Sequence, residues 1–180
     1  AVTEFLPVSS SGHLILLPRL LGWSDQGLEF DIATNTGTLV AVVAYFRRDI
    51  VIYVREGLRL VVKREKPATL EGRVAWLLVL ATVPAALVGA AFEDTIDERL
   101  GKPWIIAVSL IVFGVLLWWA DRRHGRRGVD DFSPRDALIV GAAQALALNP
   151  GTSRSGITIT ASRQLGFDRD AAARLSFLMS

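Results

Sequence analysis

Residues 133–156 read SPRDALIVGAAQALALNPGTSRSG, and the way this stretch starts and stops decides the fold. Ser133 can accept from the free N–H groups at a helix start, Pro134 suits the first helical position, and Asp136 puts an acid in the first turn. The apolar run that follows lasts only about 14 residues before Asn149, Pro150 and Gly151 break it. That length predicts a segment that enters a bilayer and turns back rather than one that crosses it. Immediately after the break come Thr152, Ser153, Arg154 and Ser155, polar groups in a strongly apolar setting.

The same design opens the chain. AVTEFL is broken by Pro7 and followed by VSSSGH and the apolar LILLPRLLG. Laid side by side, Ser9-Ser10-Ser11-Gly12 matches Ser153-Arg154-Ser155-Gly156, each after a proline and each before an apolar helix.

Between the copies, three apolar segments are long enough to cross a bilayer: 30–46, 74–92 and 104–120. Aromatic residues stand near their ends, among them Tyr45, Phe46, Trp76, Trp104, Trp118 and Trp119, as interfacial anchoring predicts. RRDIVIYVREGLRLVVKREKPATLEGR and DRRHGRRG are basic connections, the first with the spacing of a helix lying on an anionic surface. EDTIDERLGK reads as an acidic loop. The positive-inside rule therefore puts the two basic connections in the cytoplasm and the acidic one outside. An odd number of spans separates the two breaks, so they enter from opposite faces. The expectation is an all-α, polytopic integral membrane protein with an inverted-topology repeat and two re-entrant broken helix pairs, 1–22 and 134–165, and a further helix starting at 168–180. Irregular backbone at that depth has to be buried in protein or line a water-filled cavity.

Composition agrees. The chain of 180 residues is 51% hydrophobic, and 20 basic against 18 acidic residues leave a charge of +2, too balanced for nucleic-acid binding. No cysteine is present, which removes disulfides and thiolate metal sites. With no initiator Met and a helix-like DRDAAARLSFLMS stopping in mid-run, both ends read as cut, and the expectation is a single membrane domain truncated at each.

The two breaks gather Glu4, Ser9, Ser10, Ser11 and His13 from one side and Thr152, Ser153, Arg154, Ser155 and Thr158 from the other. An arginine at membrane depth costs a few kcal/mol and needs a partner or a ligand. Its fork of donors, with hydroxyls and the N–H groups of a helix start, suits phosphate. A histidine a turn from a serine can act as general base, and a carboxylate can orient it or hold a divalent cation beside phosphate. Phosphoryl transfer uses all four residue types. In the plainer alternative the hydroxyls only satisfy the broken helices and Arg154 pairs with Glu4. Asp31, Asn35 and Thr38 recur near helical spacing, facing either a cavity or a neighbouring helix, and His124 reads as a solvated loop residue.

TEFLPVSSSGHLIL and NPGTSRSGITIT closely resemble the two signature regions of the undecaprenyl-diphosphate phosphatase family, also called bacitracin-resistance proteins, and LEFDIAT and AAARLSF extend the likeness. The resemblance implies a multi-pass bacterial inner-membrane enzyme that hydrolyses undecaprenyl diphosphate to undecaprenyl phosphate and inorganic phosphate. That reaction recycles the lipid carrier for cell-wall synthesis. The resemblance also implies support by Mg²⁺ or Ca²⁺, a site facing outside, and a polyprenyl diphosphate lipid and the bilayer as partners, with a homodimer as the candidate assembly.

Carried over residue by residue, the family's serine falls on Ser10, its histidine on His13 and its arginine on Arg154, with Ser153 and Ser155 flanking. Glu4 matches the second of two motif acids, the first of which would precede Ala1, and Gln144 occupies the equivalent repeat position. Asn149 stands where an apolar residue usually precedes the Pro-Gly. The expected catalytic set is Ser10, His13, Glu4 and Arg154, with Glu4 at the metal. Ser9, Ser11, Thr152, Ser153, Arg154, Ser155 and Thr158 are expected to bind substrate. Ser10 is the expected nucleophile, with water activated by His13 as the other reading. Inverted repeats of broken helices also serve transporters, so a flippase of a phosphate-bearing polyprenyl lipid is the alternative function.

Overall fold

The computed structural model describes residues 6–24, 27–63, 69–100 and 102–179, with backbone only at 28, 31, 60–63 and 93–100. The described chain is helical: α1 Ser10–Leu21, α2 Gly27–Tyr45, α3 Arg47–Lys63, α4 Leu70–Leu100, α5 Pro103–Asp121, α6 Pro134–Ala145, α7 Arg154–Gln164 and α8 Arg169–Leu178. Among the described residues the one β-type pairing is an isolated bridge between Arg127 and Phe167.

Two stretches, Leu70–Phe92 of α4 and Pro103–Asp121 of α5, are long and apolar enough to cross a membrane, and the apolar run Ile32–Tyr45 of α2 is shorter. Most of their apolar side chains are exposed, among them Leu87, Ile111, Val115 and Trp104. A helix buried in a water-soluble core would hide this surface, whereas lipid accepts it. One expectation is corrected here: the acidic stretch read as a loop is helix, because α4 continues to Leu100. EDTIDERL contains neither glycine nor proline, and Glu, Arg and Leu favour helix.

The packed core lies where α4, α6, α7 and α8 meet, around Leu77, Ala81, Phe132, Val140, Phe167 and Leu175. Phe132 and Phe167 are fully buried and meet edge to face with centroids 5.9 Å apart. Gly141 lets α6 press on α4, since any Cβ there would run into the Ala81 carbonyl. α6 begins as the sequence predicts. Ser133 caps it by accepting from the Asp136 N–H, and the Asp136 carboxylate accepts in return from the Ser133 N–H at 3.0 Å.

Arg127 grips the same carboxylate through both terminal nitrogens, at 3.2 and 2.6 Å. Burial pushes the Asp136 carboxyl up. The Arg127 guanidinium and the Ser133 donors outweigh it and hold the group below the usual carboxylate range. The result is a fixed start for the helix that leads to the second break.

Candidate active site

The second break is built from short local bonds. After α6 the chain tightens into a 3₁₀ turn, Leu146–Leu148, and Asn149 leaves the helix with extended backbone. Gly151 takes φ 91°, and a Cβ there would sit 2.7 Å from the Ile106 carbonyl oxygen of α5, so only glycine permits this approach. Asn149 Nδ2 donates to Ser109 Oγ of α5 at 2.7 Å and to Thr152 Oγ1 at 3.2 Å. Ser153 then caps α7: its Oγ accepts from the Gly156 N–H and lies 3.1 Å from Ser155 Oγ.

The first break repeats that pattern. Ser9 Oγ accepts from the Gly12 N–H and lies 3.3 Å from Ser11 Oγ. Ser10 occupies the first position of α1, half-buried, and its hydroxyl makes no hydrogen bond among the described residues. His13 Nδ1 lies 2.8 Å from the Ser9 carbonyl oxygen. A carbonyl only accepts, so Nδ1 carries the proton, and in the neutral ring Nε2 keeps a lone pair. Geometry thus gives His13 an oriented basic nitrogen.

The breaks touch. A Cβ on Gly156 would come within 3.4 Å of the Pro7 carbonyl oxygen, so the start of α7 lies against the turn that precedes α1. α5 passes behind both, with Leu110 against Gly12 and Ile106 and Ser109 against the Asn149–Thr152 turn. The structure therefore brings Ser9, Ser10, Ser11 and His13 into one neighbourhood with Ser153, Arg154 and Ser155. Glu4 lies outside the described residues.

Within this neighbourhood the groups differ in availability. Arg154 is exposed, and its guanidinium has no hydrogen-bond or ion-pair partner among the described residues. Thr152 is buried and receives Asn149. Thr158 is buried with its hydroxyl turned to α8, 2.8 Å from Ser176 Oγ and 2.9 Å from the Arg154 carbonyl oxygen. Gln144 Oε1 and Asn149 Oδ1 are buried without a hydrogen-bond partner. Asn35 is exposed, while Thr38 is buried and donates to the Thr34 carbonyl of its own helix.

The whole chain, residues 1–180, matches the family described as bacitracin resistance protein BacA. The chain belongs to this family. Its BacA relatives include proteins named undecaprenyl-diphosphatase. That of Aliivibrio salmonicida is 52% identical over 179 residues, that of Chromohalobacter salexigens 52% over 180, and that of Hahella chejuensis 50% over 179. Each match covers 99% of this chain and 66%, 67% and 66% of the respective relative, so the chain spans about two thirds of the length of the BacA proteins it matches.

Two supports of the second break escape sequence reading. Ser109 and Ser176 each anchor a break residue from another helix, at Asn149 and Thr158 respectively. Ser109 carried a signal, a lone small polar residue within WIIAVSLIVFG, of the kind that bonds between helices in lipid. Ser176 carried none beyond its hydroxyl.

Proposed function

We propose that the chain is the site-bearing part of an undecaprenyl-diphosphatase, hydrolysing undecaprenyl diphosphate to undecaprenyl phosphate and inorganic phosphate. The contact between the two Ser-X-Ser-Gly breaks carries this reading. It brings the start of α7, which carries the unpaired Arg154, against the turn that leads into Ser10 and His13, and a guanidinium, a hydroxyl and an imidazole are the groups that phosphoryl transfer uses. Relatives at about half identity bear the name of that activity, which favours hydrolysis over transport.

In the proposed reaction Arg154 holds the terminal phosphate, with Ser9, Ser11, Ser153 and Ser155 around it, and Thr152 and Thr158 stiffen the cradle. Ser10 Oγ attacks the terminal phosphorus while its proton passes to His13 Nε2. The bridging P–O bond breaks, undecaprenyl phosphate leaves, and water then releases phosphate from the serine. A divalent cation, Mg²⁺ or Ca²⁺, would be held by Glu4, and the buried, unpartnered oxygens Gln144 Oε1 and Asn149 Oδ1 are the further oxygen donors that support this reading. Bound there, it would supply charge neutralisation to the phosphates.

The same reading makes 1–22 and 134–165 re-entrant pairs of an inverted repeat in a multi-pass inner-membrane protein. Its site opens outside and its basic connections face the cytoplasm, with the polyprenyl tail along the spans. A homodimer completes the proposal.

Phosphate release from a prenyl diphosphate in detergent, with Mg²⁺ or Ca²⁺ and then with chelator, tests the reading in the full-length protein. Metal-dependent release is expected. Lipid movement across a bilayer without phosphate release would replace it with transport. Phosphoserine trapped at Ser10 is expected during turnover, and near-normal turnover by Ser10→Ala would move the attack to water.

A further inference from the structure

The C-terminal end of α5 carries an arginine cluster far along the helix from the two breaks. Asp121, Arg122, Arg123, His124, Arg163 and Arg169 line one cavity there. Arg163 is its most buried member, 4% exposed, and is pinned from below. Its terminal nitrogens donate to the carbonyls of Phe167, Asp121 and Arg123, and its Nε is buried without a hydrogen-bond partner. Asp121 is already committed, receiving Arg169 through Nε and Nη2 at 2.8 Å each. Arg163 Nε also stands 3.8 Å from Asp121 Oδ1, so the cavity's single carboxylate answers Arg169 and Arg163, while Arg122 and Arg123 have no carboxylate partner among the described residues.

Two more observations fix the cavity's setting. The Arg122 guanidinium lies 3.7 Å from the centre of the Trp118 ring and that of Arg123 lies 5.2 Å from Trp119. Both rings are exposed, at the end of an apolar helix long enough to cross a membrane. Tryptophan at the end of such a helix marks the headgroup level, and stacking on it holds each arginine while leaving its N–H edge open.

We infer that this cavity binds the phosphate of an anionic phospholipid headgroup, a lipid site separate from the proposed catalytic breaks. Arg122 and Arg123 take the phosphate oxygens from the interface, and buried Arg163 supplies fixed positive charge beneath them. Because Asp121 joins α5 to Arg163 of α7 and Arg169 of α8, an anion seated here ties the three helices together. It should raise stability.

The test is thermal unfolding of the full-length protein in neutral-detergent micelles doped with phosphatidylglycerol or with phosphatidylcholine of the same chains. Phosphatidylglycerol is expected to raise the apparent Tm by about 3–6 °C over phosphatidylcholine at saturating lipid. Arg122→Gln/Arg123→Gln removes that difference, and its unchanged Tm in phosphatidylcholine shows that it folds. Arg126→Gln, on the same connection but outside the cavity, keeps the difference. Equal protection by both lipids, retention in the double variant, or equal loss in Arg126→Gln would overturn the site. Equal protection by millimolar inorganic phosphate would also overturn it, reassigning the cavity to a free anion.

Discussion

The break at Ser9 and the break at Ser153 close the same local bonds, Oγ to the glycine N–H three residues on and to the serine hydroxyl two residues on, in different surroundings. Ser153 caps its helix from ordinary extended backbone, at φ −67°, with Gly151 wedged on α5, Asn149 tied to Ser109 and Thr158 tied to Ser176. Ser9 caps from φ 61°, a conformation that costs a non-glycine residue about 1–3 kcal/mol, and α1 meets Leu110 of α5 at Gly12. The second break is a fixed socket and the first a strained presenter. The division suits the proposed chemistry, in which the rigid side positions phosphate and the strained side offers Ser10 and His13.

Removing the socket's charge should have the largest effect. Arg154→Ala is expected to lower kcat/KM for prenyl diphosphate hydrolysis by roughly 10²–10³-fold. Arg154→Lys should recover only part of this, because a point charge lacks the two-pronged fit. Steady-state phosphate release measures both, and an Arg154→Ala enzyme near wild-type rate would leave the socket without its role.

The socket's anchor comes next. Asp136 is held below its ordinary value, so its stabilisation is complete above about pH 4 and fades as pH falls through the lowered value. Asp136→Asn should cost about 1–3 kcal/mol at neutral pH, a loss softened by the partial exposure of Arg127. It should also flatten the acid limb of Tm against pH. An unchanged acid limb would remove the clamp from the comparison.

The paired glycines separate the two surroundings more finely. A Cβ at either glycine would stand 3.3 Å from its cap hydroxyl, but one at Gly156 also meets Ser153 Cβ at 3.1 Å and the Pro7 carbonyl at 3.4 Å, whereas one at Gly12 also meets the Leu110 methyls at 3.3 Å. The cap Cβ and the backbone yield less readily than a leucine side chain. Gly156→Ala is expected to destabilise by about 1–2 kcal/mol, and Gly12→Ala to change Tm little, its contact offset by helix propensity. The smallest contrast lies at the caps. Ser153→Gly should lower stability by a few tenths of a kcal/mol, while Ser9→Gly, relieving the positive φ, should hold or raise it.

The two matched Ser-X-Ser-Gly stretches were legible because they are local. A Ser-X-Ser-Gly stretch supplies its own cap: in both stretches matched from sequence the first serine accepts from the glycine N–H. The start of α6 at Pro134 was legible for the same reason. What sequence could not show is which distant groups meet. Ser109 to Asn149, Thr158 to Ser176 and the Asp121 clamp each join residues far apart in the chain. The extension of α4 to Leu100 is not legible from charge, because an acidic run suits a loop and a continuing helix equally.

Whether the two breaks act on one phosphate is settled by a double-variant cycle on the full-length protein, reading kcat/KM for Ser10→Ala, Arg154→Ala and the pair. If presenter and socket serve one reacting phosphate, the double variant should lose no more than about tenfold beyond the worse single variant. Losses that multiply, as for independent positions, would contradict a shared site.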